Sequence, residues 1–183
     1  MSPEQIALIV VDLQHWIVDM GLAPISGKDV VEKSVVVRDA FRAAGSPVIL
    51  VRYLREDGLD GGATAPANQI VDALDPQLAE HVVTKHGLDA FAGTDLQRLL
   101  TRLGVRGVVV TGISTAHGVA ATARTAVLLG LDVVVVPDAT ASVTATEHAA
   151  TLAELAGLGI AIVPAGDIPA RLGRRAAPES DLE

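Results

Sequence analysis

Along this chain apolar residues come in short continuous runs, separated by longer stretches in which they recur every three or four positions. The runs are Ile6 to Val11, Val48 to Tyr53, Val82 to Val83, Gly107 to Thr111, Asp132 to Val136 and Ile160 to Val163, all within strand length. Between them, Asp29 to Ala44 sets Val31, Val35 and Ala40 on a helical face and stops at Gly45, with Pro47 close behind. Thr94 is placed to cap a helix through Leu103 closed by Gly104, Val119 to Leu129 is a helix ended by Gly130, and Glu147 to Leu155 is amphipathic. Runs that are continuous rather than alternating mark strands buried on both faces, which parallel sheets require. Strand and helix in turn predict a three-layer α/β, Rossmann-like fold: a six-stranded parallel sheet, right-handed crossovers and helices on both faces.

At 183 residues the chain suits one core. A single domain is expected over residues 1–173, and the polar, proline-containing stretch 174–183 is expected to be a disordered tail. Half the residues are hydrophobic but only 2% aromatic, as in a Val-rich sheet covered by small-residue helices. No apolar run approaches the roughly 20 residues of a membrane span, and MSPEQIALIVVD has no basic signal head. A cytoplasmic protein with no membrane partner is expected. The net charge of −8 argues against a nucleic-acid partner. The chain has no cysteine, which excludes disulfides, thiolate metal sites and thiol nucleophiles.

In open α/β sheets ligands sit at the carboxyl ends of strands, so residues just past each run are the candidates for chemistry. Asp12 ends the first run, although an Asp there also serves as a turn cap. Gln14 and Trp16 follow, the tryptophan placed either to line a pocket or to close the sheet edge. After the second run comes REDGLDGGATAP, long enough for a flap, with Arg55, Glu56 and Asp57 as its solvated rim. No Asp-x-His pair lies near it and the five histidines are scattered, so no metal is expected. Lys85 follows the third run, where a lysine otherwise snorkels to the surface. The fourth run passes through a small-residue turn, Gly112 to Gly118, into a helix whose first N–H groups suit an anion.

Three segments, VVDLQ with Asp12, VTKHGLDAFAGTDL with Lys85, and VTGISTAHGVAATARTAVLLGLDVVVVPDA, together resemble the isochorismatase-like hydrolases from about Ile6 to about Val163. Most members of that superfamily carry an Asp, Lys, Cys triad, which falls here on Asp12, Lys85 and Gly118. Glycine has no nucleophile to offer, so the covalent route is closed. Isochorismatases also lack the cysteine, commonly have glycine in its place, and cleave a vinyl ether by acid catalysis. The resemblance therefore implies Asp12 as acid, Lys85 as its partner within salt-bridge distance on an adjacent strand, and Gly118 leaving room for substrate or water. It also implies a small-molecule, carboxylate-bearing substrate bound by Gln14, Trp16, Ser114, Thr115, Arg52 and Arg55. No cofactor, a homo-oligomeric state and a cis Ile113–Ser114 peptide complete the expectation. The turn departs from the isochorismatase pattern, with Ser114 in place of a tyrosine and His117 one residue late. Two alternatives stand beside this reading. One is a catalytically degenerate member that binds a ligand or serves in assembly. The other has Ser114 or Thr115 replacing the thiol, though neither occupies the position from which the cysteine attacks and both serve equally as turn hydroxyls.

Overall fold

The computed structural model describes residues 5–174. Six parallel strands form one sheet in the order β3-β2-β1-β4-β5-β6. They are β1 (Gln5–Val11), β2 (Val48–Tyr53), β3 (His81–Lys85), β4 (Val105–Ile113), β5 (Asp132–Ala141) and β6 (Ala161–Ile162). The helices are α1 (His15–Val18), α2 (Gly27–Ala43), α3 (Leu96–Arg102), α4 (Ala120–Leu128), α5 (Ala145–Gly157) and α6 (Ile168–Arg174). The expected tail falls outside the described residues except for Arg174, which ends α6.

Alternation along the strands divides the core in two. Ala7, Ile9 and Val11 of β1 face Leu96 and Leu99 of α3, Val119, Ala120 and Ala123 around the start of α4, and Leu155 of α5. Leu8 and Val10 face Val30, Val37 and Phe41 of α2 and Ile168 of α6. The strand order reverses between β1 and β4, and that switch point opens a crevice at their carboxyl ends. Glycine is obligatory there. Gly112, paired with Val11, has φ +117°, and a Cβ on it would lie 2.0 Å from the Val11 carbonyl oxygen.

The elements differ from expectation mostly at their ends. β5 runs on to Ala141 past Pro137, because a register shift between Val110 and Gly112 lets Thr140 and Ala141 pair with Gly112 and Ile113. Proline is tolerated at such an irregularity, where the ladder loses no bond. α3 begins at Leu96 with Asp95 at its N-cap, not Thr94. The Thr94 hydroxyl donates to the Ala90 carbonyl at 2.6 Å and accepts from the Leu96 N–H at 3.2 Å, so it closes the preceding turn while touching the helix. Among the described residues no helix is long and apolar enough to cross a membrane.

Candidate active site

Asp12 follows β1 in the left-handed region, at φ 54°, a conformation that costs an L-residue about 1–2 kcal/mol and that aspartate tolerates better than most. Strict alternation would turn its side chain to the Val10 face. Its carboxylate instead meets Lys85, which shares the face of Val83 and Val11, so the left-handed residue re-aims the acid across the strand end. The Asp12 N–H is held by the Val51 carbonyl at 2.9 Å.

Lys85 Nζ lies 2.7 Å from Asp12 Oδ2, with the two side chains only 2% and 8% exposed. Contrary to expectation their strands are not adjacent, because β2 lies between them. β1, β2 and β3 are laid down as successive neighbours, so the third strand is necessarily one removed from the first, and the lysine stem spans the gap. Lys85 is in register with Tyr53 on β2, and its ammonium passes 5.4 Å from the Tyr53 ring centroid. It also donates to the Gly87 carbonyl at 2.9 Å. Asp12 Oδ1 is buried with no hydrogen-bond partner. Burial pushes the Asp12 carboxyl up to about 6, against the lowering effect of the Lys85 charge and hydrogen bond.

The π-helical turn Thr115–Val119 brings Gly118 against this acid. A Cβ there would lie 3.0 Å from Val11 Cγ1, 3.2 Å from Asp12 Oδ2 and 3.6 Å from the Leu88 carbonyl oxygen. The space at Gly118 is therefore not left for substrate or water. It is taken by Asp12 itself and its neighbours. The Ser114 carbonyl accepts from the His117 and Val119 N–H groups at 3.2 and 3.1 Å, and Ser142 Oγ accepts from the Ala116 N–H at 3.1 Å. Thr115 is fully buried with Oγ1 2.8 Å from His148 Nδ1, whose imidazole is shifted down by burial. The Ile113–Ser114 peptide is cis.

The remaining candidates are dispersed. Gln14 is buried, but its amide is committed to backbone: Nε2 donates to the Tyr53 and Asn68 carbonyls, both at 2.9 Å, and Oε1 accepts from the Tyr53 N–H at 2.7 Å. It fastens the segment after β1 to the end of β2. Trp16, on α1, is 42% exposed. Arg52 shares the Leu50 side of the sheet, opposite Lys85, and donates to Thr84 Oγ1 at 2.9 Å. Arg55 is half exposed and clasps Asp57 through two hydrogen bonds. It lines a rim cavity of about 520 Å³ with Tyr53, Glu56, Asp57 and His86. The loop after β2 is held by its own polar groups, Asn68 Nδ2 donating to the Asp60 and Gly62 carbonyls at 3.1 and 2.9 Å.

Sequence reasoning passed over Tyr53, Asn68 and His148. Only Tyr53 carried a signal, since it closes the second apolar run as Lys85 closes the third. Among the described residues no group of three or more His, Asp or Glu side chains could hold a metal ion. The arrangement is suited to proton transfer. A carboxyl poised near neutrality carries one unpartnered oxygen, and an ammonium on the other oxygen stabilises the anion left once the proton has gone.

The isochorismatase domain family matches residues 6–166. The isochorismatase family protein YecD of Escherichia coli O157:H7 is 33% identical over 161 residues, covering 81% of this chain and 86% of that protein. A streptothricin hydrolase of Streptomyces noursei is 38% identical over 143 residues, 74% of this chain and 49% of its own length. An isochorismatase family protein of Burkholderia thailandensis superposes with a TM-score of 0.85 at 35% identity, covering 94% of this chain and 97% of that one.

Proposed function

The chain belongs to the isochorismatase family, and we propose that it is a hydrolase that forms no covalent intermediate, acting by acid catalysis on an enol (vinyl) ether of the isochorismate type. The observation that carries this reading is Asp12: its carboxyl is pushed up to about 6, its Oδ1 lacks a partner, and no cysteine is present to attack. The protonated acid transfers its hydrogen to the terminal CH₂ carbon of the alkene, and the electron pair of the double bond forms the new C–H bond. The resulting oxocarbenium ion takes up water at its cationic carbon while the Asp12 carboxylate, steadied by Lys85, recovers a proton from that water. The hemiketal collapses to a ketone and an alcohol. Arg52 lies on the other face and Arg55 is engaged with Asp57, so support for the reading comes from the alkene end of the substrate and not from its carboxylates.

Incubation with isochorismate, with pyruvate followed by coupled reduction, tests it. Pyruvate should appear, and the rate should fall as pH rises through about 6, because the acid form of Asp12 is then lost. Asp12→Asn keeps the shape without the transferable proton and should slow release by about 10²–10⁴-fold. Full activity in that variant, or a rate that climbs with pH across the same window, would overturn the acid role.

A further inference from the structure

Ser114 occupies the N-cap position of the π-helical turn, where a serine ordinarily accepts a hydrogen bond from a backbone N–H one turn ahead. Here its side chain makes no such bond. The Ser114 carbonyl accepts from the His117 and Val119 N–H groups instead, and the hydroxyl is turned to the ring of His117, Oγ to Nδ1 2.8 Å. The other hydroxyls of the turn are spent on structure, Thr115 in the interior on His148 and Ser142 on the Ala116 N–H. Ser114 is half-buried and His117 exposed, so this pair alone among them meets solvent.

We propose that Ser114 and His117 form a nucleophile–base dyad that gives the chain an acyl-transfer activity towards small carboxylic esters. The spacing is that of an activated serine, within the 2.6–3.2 Å reach a general base needs. The same backbone bonds that close the turn fix the two residues relative to each other. In the tautomer with hydrogen on Nε2, His117 Nδ1 accepts the hydroxyl proton as Oγ forms a bond to the ester carbonyl carbon, whose π electrons move to oxygen. The tetrahedral adduct collapses, the ester C–O bond breaks, and the leaving alcohol takes the proton back from His117. Water then repeats the sequence on the acyl-serine, releasing a carboxylic acid. Asp12 and Lys85 take no part, so this activity stands or falls separately from the acid-catalysed one.

The test uses the full chain with a fluorophosphonate probe and with p-nitrophenyl acetate, reading intact mass and the labelled peptide. The expected result is one adduct, on Ser114, absent in Ser114→Ala. In His117→Gln a hydrogen-bond partner for Ser114 remains but the base is gone, and adduct formation should slow by about a hundredfold. Labelling on another residue, no labelling of the folded chain, or an unchanged rate in His117→Gln would overturn the dyad. The last of these would reduce the contact to a hydrogen bond that only shapes the turn.

Discussion

Asp12 and Glu80 are both carboxylates with little exposed side-chain surface, 8% and 7%, each against one basic residue, but Asp12 lies far deeper in the protein. Their acidities move in opposite directions. Glu80 stands just ahead of β3, the edge strand. Desolvation raises its carboxyl, but Arg42 donates to both oxygens at 2.7 and 2.9 Å and the Gln77 N–H adds a third bond at 3.0 Å. Together these hold it below the usual glutamate range. Asp12 has Lys85 on one oxygen and nothing on the other, and burial prevails. Surface exposure alone does not distinguish a structural acid from a reactive one. Depth of burial set against the number of donors does.

The largest effect expected from breaking this contrast is that of Lys85→Met. Removing the ammonium leaves a buried carboxylate with no partner, a change that costs about 3–5 kcal/mol. The sign with pH follows from the raised acidity constant. A carboxyl lifted to about 6 in the folded state contributes its full stability below the unfolded value of 3.8, loses it as pH rises to about 6, and is level above that. Without Lys85 the decline continues to higher pH. Urea unfolding should therefore show a large loss at pH 8 and a small one at pH 5. An equal loss at both would mean that the Asp12 charge is not what Lys85 compensates.

Glu80→Gln is expected to do less and to run the other way. It forfeits charged hydrogen bonds, each of which contributes about 1.5–3 kcal/mol, in a place remote from the strand-end crevice. Because the Glu80 carboxyl is held low, its contribution is present at neutral pH and is lost as pH falls through the folded value. The variant should be destabilised at pH 7 and converge with the parent in acid, with pyruvate release unaltered. A variant that loses activity but not stability would place Glu80 in the reaction.

The strands, their parallel sense and the two charged residues at their ends were legible because buried parallel strands are continuous apolar runs, and Asp12 and Lys85 interrupt them where side chains must change surroundings. Motif spacing located Gly118. What lay beyond reach depended on register. Arg52 and Tyr53 are neighbours in sequence, yet only pairing β2 with β3 reveals that Tyr53 underlies Lys85 while Arg52 faces away. Likewise, Glu80 and Asp12 look alike as letters. Their difference arises from donors contributed by Arg42 and Gln77 in one case and from deep burial with Lys85 on one oxygen alone in the other. The space at Gly118 was misjudged for a similar reason, since a glycine in a motif does not reveal what fills the volume its side chain would have taken.

Gly118→Ala addresses that volume and is expected to have the smallest effect. Two contributions oppose each other. The added methyl would sit 3.0 Å from Val11 Cγ1 and 3.2 Å from Asp12 Oδ2, closer than carbon atoms normally settle. Overpacking of this kind costs about 1–3 kcal/mol. Gly118 lies in a helical turn, however, where alanine is favoured over glycine by about 1 kcal/mol. The net change in unfolding free energy should therefore stay within about 2 kcal/mol. The sharper reading is in the pH dependence. A methyl group against Oδ2 pushes that oxygen away from Lys85 and excludes what little solvent reaches it, and both effects raise the carboxyl further. The alkaline limb of pyruvate release should shift to higher pH in the alanine variant, even where the melting curve barely moves. An unmoved limb, together with an unmoved melting curve, would show that the Asp12 carboxylate does not rest against Gly118, and with it would go the explanation of why this turn carries a glycine.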